Sequence, residues 1–178
     1  MKAAVCTAYG PPEVVRIREV PDPVPKPDEV LVRVYATPVS SGDARVRGSS
    51  FPPGLTVPAR LFFGMRRPRR QILGTELAGI VEGVGTDVTR FEPGDRVFSF
   101  SGINMGCHCE LRTVPENGLI ASIPAGFSFE EAAAISFGGT TALYFLRSLG
   151  KIERSQRVLV IGASGAVGTA AVQLVFPA

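Results

Sequence analysis

Four apolar residues, Val158-Leu159-Val160-Ile161, run straight into Gly162-Ala163-Ser164-Gly165-Ala166-Val167-Gly168, and this junction constrains the fold more than any other feature. An apolar run, a glycine turn and an alanine-rich helical start read as strand, tight turn and helix. In that context the glycines let the main chain come close to a pyrophosphate, whose charge then meets unpaired amides and the positive end of a helix dipole. Gly162, Ala163, Ser164, Gly165, Ala166, Val167 and Gly168 are therefore the candidate cofactor-binding residues, with Gly168 keeping helix and strand close together. A dinucleotide fold needs several parallel strands, and one precedes the end of the sequence. The residue that reads the ribose belongs about 20 residues further on, so NAD and NADP are not separated.

The residues before this junction follow another grammar. Val15 and Ile17 alternate with Arg16 and Arg18, and Val30, Val32 and Val34 face opposite to Leu31, Arg33 and Tyr35, which reads as half-buried strands. Pro21 to Pro27 holds four prolines in seven residues and is read as a connector. Further strands are expected at Leu77 to Val84 and Arg96 to Phe100, with Pro93-Gly94-Asp95 as a tight turn placing Gly94 at positive φ. Many short strands without helices suggest a small β-barrel. From Pro124 the pattern turns helical: Ser128 and Glu131 form a capping box ahead of Ala132 to Ala134. A second helix is read from about Thr140 to Leu149, with Gly150 ending it in a left-handed conformation. The regions are thus 1–123 and 124–178.

Charge and cysteine usage exclude several classes. The formal charge of +3 is local, because Arg60, Arg66, Arg67, Arg69 and Arg70 stand with no acidic residue among positions 60 to 70. The plainer reading of these arginines is a solvated loop bracketed by Pro58 and Pro68, with a polyanion patch as the rival; no nucleic-acid partner is expected. Residues 158 to 178 carry no charged side chain, yet their glycines, Gln173 and Pro177 fit a turn and a buried helix better than a membrane span. No membrane partner is expected. Three cysteines, an odd count without a leader, fit a reducing cytoplasm. If Cys107-His108-Cys109 is a strand, the histidine faces away from both thiols, which favours packing over metal binding.

Taken together, several segments resemble the medium-chain dehydrogenase/reductase family in its zinc-free, quinone-reductase-like and alcohol-dehydrogenase-like branch. They are Met1-Lys2-Ala3 with Tyr9-Gly10-Pro11-Pro12, Ser40 to Arg47, Gly74-Thr75-Glu76-Leu77-Ala78-Gly79, Pro93-Gly94-Asp95-Arg96-Val97, Ala132-Ala133-Ala134, Gly139-Thr140-Thr141-Ala142 and the glycine turn. The resemblance implies a mostly β GroES-like barrel over 1–123, followed by the start of a Rossmann α/β domain over 124–178, with both domains incomplete. Ser40 and Thr75 stand where zinc-dependent relatives carry a cysteine and a histidine, so no metal is expected.

What the resemblance implies chemically is hydride transfer between NAD(P)H, NADP being favoured, and a quinone, enone, aldehyde or ketone held between barrel and Rossmann domain. Ser40, Asp43 and Thr140 would lie nearest nicotinamide and substrate, Ser40 and Thr140 also touching the cofactor. Asp43 is read as orienting its loop through Arg45 or Arg47 rather than transferring a proton, and Thr140 is equally a helix N-cap. Tyr9, Tyr35 and Tyr144 are read as packing residues. A homo-oligomer is expected for the full-length protein. The rival reading is an inactive folding or interaction module, because a lone Rossmann strand leaves unpaired edges.

Overall fold

The computed structural model describes residues 1–176; Pro177 and Ala178, the last two of the second region, lie outside the described residues. Contacts divide the chain into two compact units, Met1–Ala133 and a second beginning at Ala134.

The first unit carries the strands. A five-stranded antiparallel sheet has the order β6-β3-β4-β5-β7, built from β3 (Glu29–Ala36), β4 (Glu76–Val84), β5 (Arg96–Phe100), β6 (Leu111–Pro115) and β7 (Ile120–Ser122). A ribbon of β1 (Lys2–Cys6) and β2 (Val15–Glu19) is tied on by single bridges, Ala3 to Cys109 and Val5 to Ile72. This is the sheet-rich architecture expected of the first region. Period-two alternation explains it: Val30, Val32, Leu77, Val81, Val97 and Val114 are buried in one cluster, each worth about 1.5–3 kcal/mol. Gly94 takes a φ of 101°, as the turn between β4 and β5 requires.

In the first unit three expectations change. The first unit is not free of helices: α1 (Ser41–Gly48) and α2 (Thr56–Phe63) interrupt the strands. β2 is not half-buried, because it pairs with β1 alone and leaves Ile17 exposed. Cys107-His108-Cys109 is an irregular bend with one bridge, at Cys109, rather than a regular strand.

In the helical region from Pro124 the capping box holds. The Ser128 amide donates to Glu131 at 2.8 Å, the Glu131 amide donates to Ser128 Oγ at 3.1 Å, and α3 (Phe129–Leu143) follows. Helix α3 does not break at Thr140; it runs on into a wider π-helical segment, Tyr144–Leu149. Gly150 stays right-handed at φ −74°, and Lys151 takes the left-handed turn at φ 45°.

Val158–Ile161 forms no paired strand among the described residues, and Leu159 and Ile161 are 84% and 89% exposed. An apolar strand of this kind is buried only when parallel neighbours flank it. After the turn, α4 (Ala166–Val175) begins at Ala166 as expected. No helix among the described residues is long and apolar enough to cross a membrane.

Candidate functional site

Ser40 caps α1. Its backbone is extended, its Oγ accepts from the Asp43 amide at 3.2 Å, and the Asp43 carboxylate accepts from the Ser40 amide at 2.8 Å and from the Ser40 hydroxyl at 2.7 Å, both at Oδ2. The second oxygen, Oδ1, accepts from the Gly74 amide at 2.9 Å, across 31 residues of sequence. Asp43 is buried, and among the described residues no ion pair joins it to Arg45 or Arg47. It therefore orients its surroundings through Ser40 and Gly74, not through arginine. Its three bonds are of the strong charge-assisted type.

Gly74 has a φ of 86°, and a Cβ there would overlap the His108 ring, so only glycine fits. His108 Nε2 donates to the Pro38 carbonyl at 3.1 Å. Asp43, Thr37, Val39, Leu73 and His108 line one hollow of about 630 Å³. Sequence reasoning set strand packing against metal binding for the segment of His108 and favoured packing; that Gly74 makes room for the His108 ring passed unread.

The two neighbouring thiols diverge from it. Cys107 Sγ lies 3.3 Å from Ser101 Oγ, while Cys109 Sγ meets the carbonyls of Gly106 and Leu111, each at 3.1 Å. Burial pushes both thiols up to about 11. No three His, Cys, Asp or Glu side chains among the described residues are grouped to hold a metal ion. Tyr9 donates to the Gly64 carbonyl at 2.6 Å, burial raises its phenol above the ordinary value, and Tyr35 stacks on Phe129 at 4.8 Å.

In the second unit Thr140 lies inside α3, where its hydroxyl donates back to the Ser136 carbonyl, with the Phe137 carbonyl 3.3 Å away. It is not an N-cap; a mid-helix threonine returns its hydroxyl to the preceding turn. Helix α3 meets the start of α4 two residues earlier, for a Cβ on Gly138 would stand 2.8 Å from the Ala166 carbonyl oxygen. The turn itself is open to solvent. Gly162 has a φ of 80° with nothing within 4 Å of where a Cβ would be, and a Cβ on Gly168 would run into the Gly162 carbonyl. Gly165 enters α4 with no side-chain cap, leaving the first-turn amides to an outside acceptor. The structure thus joins Ser40 to Asp43 and sets Thr140's helix against Ala166, each pair within its own unit.

Residues 26–143 match the family model of the alcohol dehydrogenase GroES-like domain. The chain belongs to the medium-chain dehydrogenase/reductase family. A quinone oxidoreductase of Pseudomonas aeruginosa is 38% identical over 167 residues, which is 93% of this chain and 46% of that protein. A mycobacterial protein solved in complex with NADPH superposes with a TM-score of 0.78 at 31% identity, covering 97% of this chain and 49% of its own. The enoyl reductase CurK gives a TM-score of 0.84 at 26% identity, covering 97% and 50%. The chain spans about half the length of the curated relatives it matches.

Proposed function

We propose that this dehydrogenase/reductase chain belongs to an enzyme that transfers hydride from NAD(P)H to a quinone, enone, aldehyde or ketone without zinc. The observation that carries the proposal is the open turn at Gly162–Gly168, where a positive-φ glycine, a close Gly168 contact and an uncapped helix start coincide. Such a cradle fits a pyrophosphate. The relatives named quinone oxidoreductase and enoyl reductase, and the one solved with NADPH, support the reaction class. In this reading residues 1–123 form the catalytic region and the cofactor region opens at 124.

Bound nicotinamide would supply the hydride; the chain's own residues bind, orient and exclude water. Amides at the start of α4 would hold the pyrophosphate. Ser40 is the candidate donor to a substrate oxygen. At rest its hydroxyl donates to Asp43 Oδ2, and turning it outward leaves that carboxylate with the amides of Ser40 and Gly74. Asp43 is thus a positioning residue. Thr140 is the second candidate at the nicotinamide, its hydroxyl freed by giving up the bond to Ser136. Ser40 and Thr75, with hydroxyls at positions where zinc-dependent relatives carry a cysteine and a histidine, support the zinc-free reading.

The test is loss of 340 nm absorbance when NADPH and a 1,4-quinone are mixed with a polypeptide extended to the relatives' length. Turnover that survives a strong zinc chelator supports the proposal. Abolition by the chelator, restored with zinc, overturns the zinc-free mechanism. The exposed Leu159 and Ile161 favour a second reading, in which these 178 residues alone act as an interaction module. That reading expects self-association that Leu159→Ser and Ile161→Ser abolish in sedimentation experiments, and a chain that stays monomeric at all concentrations removes it.

A further inference from the structure

Between Asp43 and Glu76 the chain carries seven arginines and no acidic residue, leaving twelve basic against sixteen acidic residues elsewhere. Four of these arginines sit on one clamped loop. Pro68 is fully buried, the Arg69 amide donates to the Phe63 carbonyl at 2.6 Å, and Arg70 forks onto Asn104, 2.9 Å to its carbonyl and 3.1 Å to Oδ1. The loop is folded structure, yet its arginine side chains are exposed.

Beside it opens a hollow of about 870 Å³ lined by Arg66, Arg67, Arg69, Arg70 and Arg112, with no acidic residue in its lining. Arg112 Nε is buried there without a hydrogen-bond partner. Guanidinium groups gathered without carboxylates repel one another, and an anion from outside relieves the repulsion. A second, smaller hollow shares Arg69 and Arg70 and is bordered by Phe62 and Ile103, which are 58% and 67% exposed. Leu61 and Met65 are also exposed in the same segment.

Charge alone fits a nucleic acid or a free phosphate, but neither gives the exposed Phe62, Met65 and Ile103, which line these hollows, anything to bury against. A bilayer with anionic headgroups answers both halves of the patch: phosphates and carboxylates for the arginines, the acyl boundary for the apolar side chains. We propose that this face of the first unit docks on the surface of a membrane rich in anionic phospholipid, which reverses the expectation of no membrane partner. Contact is peripheral, since no described helix spans a bilayer. The proposal stands apart from the redox reading.

The test is co-sedimentation of the 178-residue chain with vesicles of phosphatidylcholine alone or with ~30 mol% phosphatidylserine, where each arginine is worth about fivefold in partitioning. Binding to the anionic vesicles only, weakened by salt, is expected. Changing Arg66, Arg67, Arg69 and Arg70 together to alanine is expected to lower partitioning by more than a hundredfold. Phe62→Ser with Ile103→Ser lowers it at unchanged charge, and circular dichroism confirms that both variants fold. Arg60 is left intact because it bonds Ser49 and covers the Tyr9 ring. Equal sedimentation with both vesicles, no sedimentation with either, or retention by the arginine-free variant overturns the proposal. So does tighter binding to duplex DNA, or to monomeric short-chain phosphatidylserine, than to vesicles.

Discussion

The Gly74 amide donates to Oδ1 of Asp43 at 2.9 Å, fastening the start of β4 to the first turn of α1. Because the same carboxylate closes the Ser40 capping box, one buried side chain sets both the position of Ser40 and the turn that admits His108.

Asp43→Ala leaves the Gly74 amide without its acceptor and opens the cap, a combined cost of about 2–4 kcal/mol. Asp43→Asn keeps one oxygen for Gly74 and is expected to cost roughly half as much. Urea unfolding followed by circular dichroism reads the difference, and an alanine variant as stable as the parent would remove the anchor.

Much of this was legible, and the failures are instructive. The Ser-x-x-acidic signal that announced α3 at Ser128 and Glu131 also stands at Ser40 and Asp43, where it announced α1. There the family resemblance drew attention to chemistry, and the local meaning went unread. The glycine turn was read from its order of residues, since backbone geometry at Gly162 and Gly168 is dictated by the lack of a side chain. Val158–Ile161 was misjudged as a buried strand because burial in a sheet depends on neighbouring strands, which a local pattern does not contain. Thr140 failed similarly: a helix running through Gly138 and Gly139 is settled by packing, here the approach of Gly138 to Ala166, against the intrinsic cost of glycine.

Cys107 and Cys109, both pushed up to about 11 by burial, are expected to resist a disulfide reagent at pH 8, where roughly one thiol in a thousand is ionised. Both react promptly once the chain is unfolded in guanidinium. Stoichiometric labelling of the folded chain within minutes would contradict the packing described for them.

Glu116 accepts from the amides of Arg90 and Thr89, and the Arg90 bond foremost holds its carboxyl below the ordinary 4.5. The stability this contributes is complete above that ordinary value and is lost as pH falls through the lower folded value. Glu116→Gln is therefore expected to lower the melting temperature most at neutral pH, with the gap narrowing below pH 4.5. A gap that is constant or widens in acid would mean the carboxylate is not what those amides hold.

The most direct test of the redox account is titration of NADPH, followed by nicotinamide fluorescence, into the polypeptide extended to the relatives' length and into its Gly168→Ala variant. The account predicts saturable binding by the parent, weakened at least tenfold by the added methyl group, because a Cβ at Gly168 collides with the Gly162 carbonyl. Failure of the parent to bind, or equal binding by the variant, would contradict it.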